Sequence, residues 1–406
     1  MHLSNPLKSL HFTTFQFKSG IITRALYIIR KKPGEQIILK ILVAMDSFKG
    51  SLTSLEAGTA VKNGILSVSA EHEVKVLPLA DGGEGTLEAL TDGLEGSYKT
   101  LTVTGPDGKK TDASYGIVED DTAVIEMAEA SGLPLVKNND ILKATSYGTG
   151  ELIKDALDSG IRKFIIAIGG SATNDGGMGM LEALGVRFLD NNGKPVRRGA
   201  SGLQALTNID ISCLDERIYK SAFKVACDVN NPLLGPSGCS YVYAPQKGAT
   251  PEQVKDMDEW MSSYAKLSSE IIPEADPEFP GSGAAGGLGF ALKYYLKAEL
   301  VSGFKLVSDL IHLEEHINDS DLFITGEGRI DGQSLNGKGP VEAAKTAGRC
   351  GKKTILFAGS EGPDAIKLLS VVDSYHILPQ VPDHMNRDVA IKNLEETVRR
   401  VFLSSY

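Results

Sequence analysis

Apolar positions along this chain follow two rhythms. Short unbroken runs at residues 37–45, 163–168, 321–325 and 354–358 have strand length and no polar face. Strands buried on both sides of a parallel sheet look like this. Residues 74–79, 123–127, 224–227 and 374–378 predict further strands, and a strand near residue 103 leaves through the turn Gly105-Pro-Asp-Gly108. Helical spacing predicts helices over residues 51–68, 149–157, 288–296, 341–349 and 388–403. The first of these has Ser51 or Thr53 as its cap and Glu56 in its first turn. Two strand units at the front and three at the back together predict one five-stranded doubly wound sheet. Residues 82–303 then form an insertion large enough to be a second α/β domain.

Composition narrows the classes. With 406 residues, 42% hydrophobic and 23% charged, the chain can bury a core without disulfides or metals. A net charge of −10 argues against nucleic acid and acidic lipid as partners. No apolar run reaches membrane-spanning length. Cys213, Cys227, Cys239 and Cys350 are scattered without paired spacing, which points to a reducing, cytoplasmic location.

Residues 1–36 differ from the rest. Lys8, Lys18, Arg24, Arg30, Lys31 and Lys32 face a single acid, Glu35. A secretory signal fits this segment poorly and a transit peptide fits loosely. A disordered or dispensable extension fits best.

The 44 glycines gather beside carboxylates and hydroxyls in five segments. These are Asp46-Ser-Phe-Lys-Gly50, Asp81-Gly-Gly-Glu-Gly-Thr86, Gly169-Gly-Ser-Ala-Thr-Asn-Asp-Gly-Gly177, Gly281-Ser-Gly-Ala-Ala-Gly-Gly287 and Thr325-Gly-Glu-Gly-Arg-Ile-Asp331. Four of them sit at the carboxyl end of a predicted strand, where open α/β sheets bind ligands. Glycine turns at helix starts offer free N–H groups to phosphate. Carboxylates repel phosphate, so their presence implies a bridging Mg²⁺ or a hydroxyl proton to remove. Lysines such as Lys49 and Lys338 would neutralise developing charge. The combination points to phosphoryl transfer to a hydroxyl.

Three look-alike motifs fail their context. Gly332-Gln-Ser-Leu-Asn-Gly-Lys338 has P-loop spacing but Gly339 where Ser or Thr is required. Gly281-Ser-Gly-Ala-Ala-Gly286 follows a loop rather than a strand, so it is not a dinucleotide fingerprint. His312-Leu-Glu-Glu-His316 has the spacing of a zinc peptidase motif but reads as an exposed charged helix without a third ligand.

Six blocks in order resemble the type I glycerate kinases of bacteria: Ala44-Met-Asp-Ser-Phe-Lys-Gly-Ser-Leu52, Leu79-Ala-Asp-Gly-Gly-Glu-Gly-Thr86, Ala167-Ile-Gly-Gly-Ser-Ala-Thr-Asn-Asp-Gly-Gly177, Cys227-Asp-Val-Asn-Asn-Pro-Leu-Leu-Gly235, Gly281-Ser-Gly-Ala-Ala-Gly-Gly-Leu-Gly289 and Thr325-Gly-Glu-Gly-Arg-Ile-Asp-Gly-Gln-Ser334. The resemblance covers nearly all of residues 37–403 and leaves residues 1–36 outside it. Met45 and Ser334 replace residues that are usually Pro and Thr. The resemblance implies phosphorylation of D-glycerate by ATP with Mg²⁺, usually giving 2-phosphoglycerate. It also implies an α/β fold of two domains with the active site between them. One is a flavodoxin-like doubly wound parallel sheet, discontinuous over residues 37–81 and 304–406. The other is an α/β domain inserted at residues 82–303.

Roles follow as expectations. The base is Asp175 or Asp81, with Asp331 third. Glu327, Asp331 and Asp46 are candidates for Mg²⁺. Lys49 and Lys338 would meet the migrating phosphoryl group. Asp46, Ser47, Ser171 and Arg329 would contact substrate. Gly169, Gly170, Gly281, Ser282, Gly283 and Gly286 would receive ATP phosphates. Formation of 3-phosphoglycerate, another hydroxy-acid acceptor and a non-catalytic sensor stay as alternatives, and a homo-oligomer is left open.

Overall fold

The computed structural model describes residues 38–405. The expectation for residues 1–36 lies outside them. Strands β1 (Lys40–Met45) and β2 (Glu73–Pro78) come first. The chain then builds β3 (Ser97–Thr104), β4 (Lys110–Val118), β5 (Thr122–Glu126), β6 (Lys163–Ala167), β7 (Arg187–Leu189), β8 (Asn208–Asp210), β9 (Ala222–Ala226) and β10 (Glu299–Val301). It closes with β11 (Leu322–Ile330), β12 (Lys353–Glu361) and β13 (Ser374–Ile377).

The first and last groups form one five-stranded sheet in the order β13-β12-β11-β1-β2, parallel throughout. Counted along the chain this is 2-1-3-4-5, the flavodoxin-like order, whose switch point falls between β1 and β11. Its register pairs Ala44 with Thr325 and Met45 with Gly326, so Asp46 leaves the sheet beside Glu327. The second sheet runs β10-β9-β6-β5-β4-β3. It is parallel from β5 to β10, while β3 and β4 form an antiparallel hairpin at its edge. The strands β7 and β8 pair separately.

Side-chain alternation along β1 explains the double winding. Ile41, Val43 and Met45 pack with Val61 and Ile65 of the helix Ser54–Leu66 and with Leu394 and Val398 of the helix Arg387–Ser405. Leu42 and Ala44 face the opposite way, into a cluster with Leu87, Leu90, Leu306 and Val307. That cluster also contains Val124, Ile165 and Ala226 of the second sheet. The helices Thr86–Gly93 and Gly303–Leu310 therefore fasten the two sheets together through buried apolar surface. The other face of the second sheet holds the largest core, with Phe164, Phe223, Tyr264 and Phe290.

Both helices begin where the chain crosses between sheets. The crossings touch: a Cβ on Gly303 would lie 2.0 Å from the Asp81 carbonyl oxygen, and one on Gly82 would lie 2.6 Å from the Ala226 Cβ. Only glycine fits that approach.

Candidate active site

Strand ends of both sheets converge on two cavities that share Asp81. The larger, about 690 Å³, is walled by Leu133, Pro134, Ile168, Val229 and Tyr243, with the Gly169-Gly170 turn, Ser171, Asp228, Gln246 and Lys247 as its polar edge. The smaller, about 320 Å³, is lined by Asp46, Ser47, Lys49, Glu327, Arg329, Lys338, Gln380, His384 and Asn393.

The smaller cavity is built on the switch point of the five-stranded sheet. The Asp46 amide donates to the Gly326 carbonyl at 2.8 Å, and Phe48 is buried, fixing the turn. Lys338 stands before the helix Gly339–Arg349 and donates to Glu327 Oε2 at 2.7 Å and to the Arg329 carbonyl at 3.1 Å. Burial, then the charge of Asp81 and of Glu327, pushes the Asp46 carboxyl up to about 7. Burial also raises Glu327, against the pull of Lys338. Glu327 Oε1 is buried without a partner. Such an atom costs stability unless a ligand completes it.

The larger cavity contains a residue that sequence reasoning missed. Lys247 is 4% exposed and donates to Ser171 Oγ at 2.6 Å and to the Thr173 carbonyl at 2.7 Å. Burial pushes its ammonium down to about 8. Asp228 is a second such residue. It follows β9, accepts from the Gly303 amide at 3.0 Å, and is raised by burial. The block Cys227-Asp-Val-Asn-Asn was a signal for Asp228; an isolated lysine in a loop gives no comparable signal.

The structure brings Asp46, Ser47, Lys49, Asp81, Glu327, Arg329 and Lys338 to one cavity and Asp81, Gly169, Gly170 and Ser171 to the other. It does not bring the rest. Asp175 is fully buried and lines neither cavity. Its carboxylate accepts from the Ser146 amide and hydroxyl, both at 2.9 Å, and from the amides of Gly177 and Gly179. Burial raises this carboxyl against those contacts, which tie the Ser146 and Gly177 loops together. Asp331 lines neither cavity and caps the short turn Gly332–Asn336, its Oδ1 accepting from the Gln333 and Ser334 amides.

Gly281, Ser282, Gly283 and Gly286 are likewise engaged elsewhere. A Cβ on Gly283 would meet the Pro232 carbonyl oxygen at 2.1 Å, and one on Gly286 the Thr173 carbonyl oxygen at 2.1 Å. Ser282 is buried and its hydroxyl donates to the Asp276 carbonyl at 3.3 Å. These positions serve loop-on-loop packing, and only Ala284 and Ala285 of this loop reach the larger cavity. In the His312–His316 motif, His312 precedes the helix Leu313–Asn318 in a left-handed conformation and His316 contacts Lys75 Nζ at 2.9 Å; among the described residues it is not part of a group of three candidate metal ligands.

Residues 41–404 match the family model described as "Glycerate kinase family". The chain is 42% identical to a glycerate kinase of Halalkalibacterium halodurans over 90% of this chain and 98% of that protein. It is 47% identical to the glycerate 2-kinase of Escherichia coli over 79% of this chain and 85% of that one. A crystal structure of a putative glycerate kinase 2 from Salmonella typhimurium superimposes with a TM-score of 0.84 at 43% identity, covering 91% of this chain and 98% of that one.

Proposed function

The chain belongs to the glycerate kinase family, and from that premise we propose how its two cavities divide the reaction. The enzyme transfers a phosphoryl group from ATP to glycerate. We assign ATP to the larger cavity, whose apolar wall and Tyr243 suit a base and whose Gly169-Gly170 turn and Lys247 suit phosphates. Glycerate goes to the smaller, more polar cavity. There Arg329 and Ser47 would hold its carboxylate, and Lys49 and Lys338 the migrating phosphoryl group.

The observation that carries this reading is the position of Asp81, on the edge of both cavities. Its carboxylate would take the proton of the glycerate hydroxyl as that oxygen attacks the γ-phosphorus. The bond from phosphorus to the β–γ bridging oxygen breaks, and ADP leaves with the electron pair. The 2-hydroxyl is the acceptor in this reading, as the name of the Escherichia coli relative indicates.

Magnesium fits the donor set. Among the described residues no group of three His, Cys, Asp or Glu side chains is gathered as a metal site. Mg²⁺, however, needs only one or two carboxylates beside waters and phosphates. The unpartnered Glu327 Oε1 and the neighbouring Asp46 would hold it, and the ion would offset phosphate charge.

We also propose that residues 82–303 are an inserted domain and that residues 37–81 with 304–406 form the other. Among the described residues no helix is long and apolar enough to cross a membrane, and all four cysteines are free. A cytoplasmic location fits both facts. Asp81→Asn tests the assignment. Loss of the base should lower kcat by about 10²–10⁴-fold with both KM values nearly unchanged. A variant with unaltered kcat removes Asp81 from the chemistry.

A further inference from the structure

We propose that Glu126 is a positioning residue for phosphoryl transfer, holding the Asp81 loop against the second sheet through two backbone amides. The proposal rests on the reading of Asp81 as the base.

Glu126 ends β5 and is 6% exposed, yet it lines neither cavity. Its Oε2 accepts from the Gly85 amide at 3.1 Å and the Leu87 amide at 3.2 Å. These amides belong to the opening of the helix Thr86–Gly93. Gly85 occupies its N-cap and contributes no side chain to the cap. Free N–H groups at a helix start favour an acceptor with negative charge. Here the acceptor comes from a strand of the other sheet.

The contact continues to the reacting group in two short links. Thr86 Oγ1 donates to the Gly83 carbonyl at 2.7 Å, and the Gly83 amide donates to Asp81 Oδ1 at 3.0 Å. Gly83 also lies against Gly169: a Cβ there would be 3.2 Å from the Gly83 Cα. The loop is thus seated on the strand ends of the second sheet, while Asp46, Glu327 and Lys338 belong to the first. Burial pushes the Glu126 carboxyl up to about 7, and its two amide contacts oppose that rise. A buried carboxylate kept at this cost is well suited to fixing the entry angle of the loop.

The test uses E126A, E126Q, D81N and the double variant D81N/E126A, each assayed for kcat and both KM values, with urea unfolding of each. E126A should lower kcat at least tenfold while the KM values stay within about twofold. E126Q, whose amide oxygen still accepts both N–H groups, should recover most of the rate. In the D81N background E126A should have little further effect, because Glu126 acts through Asp81. Wild-type kcat in E126A, or an equal loss in both backgrounds, overturns the proposal. Wild-type kcat in D81N fails the reading of Asp81 itself, which the single variant shows separately. If E126A does not fold, E126D replaces it under the same criteria, since it keeps the charge and withdraws the oxygen.

Discussion

Asp46 pits charge against burial. Its carboxyl is pushed up to about 7 by burial and by Asp81. In the unfolded chain an aspartate ionises near 3.9. A raised carboxyl stabilises the fold relative to the ionised state only while it keeps its proton. That advantage is complete below the unfolded value and is lost as pH rises through the folded one. Asp46→Asn should therefore melt higher than wild type at pH 8 in EDTA, and the difference should shrink towards pH 4. The same variant should lose activity, because the site gives up stability to concentrate negative charge. Differential scanning calorimetry across that range checks the sign. Burial raises the Asp175 carboxyl as well, but there hydrogen-bond donors oppose the rise. Its carboxylate already satisfies four donors, so Asp175→Asn turns an amide N–H₂ towards groups that also donate. The expected cost is about 1–3 kcal/mol in urea unfolding, with kcat within about threefold of wild type. A dead but fully stable D175N enzyme would return Asp175 to the catalytic machinery.

At the scale of elements, the two crossings decide how the sheets meet. Gly303→Ala would place a methyl 2.0 Å from the Asp81 carbonyl oxygen. Backbone cannot yield as a side-chain tip can, so a loss of about 1–3 kcal/mol is expected, together with a fall in kcat as the Asp81 loop shifts. Chemical denaturation and turnover measured on the same sample check both. The three central strands of the five-stranded sheet were legible because their apolar runs are continuous, and Thr53 with Glu56 does form the capping box that its spacing suggests. Other elements were not. The strand Lys110–Val118 alternates weakly and its outer face is polar, so only its hairpin partner Ser97–Thr104 reveals it. The helix Pro251–Ile271 carries its own capping box at Thr250 and Gln253 but is polar over most of its length. The glycine clusters mixed two purposes. Gly169 and Gly170 do border a cavity, whereas Gly283 and Gly286 make room for the backbone of other loops. Sequence shows that a residue lacks a side chain; the neighbour that requires this is set by tertiary packing. Lys247 stayed hidden for the same reason, since its burial comes from segments distant in the chain.

Across the whole molecule, the charged groups lining the two cavities come from different parts of the fold. Asp46, Glu327 and Lys338 stand at the strand ends of the first sheet, Asp228 follows β9 of the second, and Lys247 ends the short turn Pro245–Lys247. Asp81 stands on the crossing between them. Closing such a cleft on both substrates would exclude water, which otherwise competes for the γ-phosphoryl group. In this enzyme the phosphoryl group of ATP goes to the 2-hydroxyl of glycerate. The most direct measurement is ³¹P NMR of the full chain with ATP, Mg²⁺ and D-glycerate, with L-glycerate and no acceptor as controls. Transfer to the 2-hydroxyl gives a new phosphomonoester signal that requires D-glycerate and is split by a single methine proton. Splitting by a methylene pair, or no signal dependent on the acceptor, would contradict it.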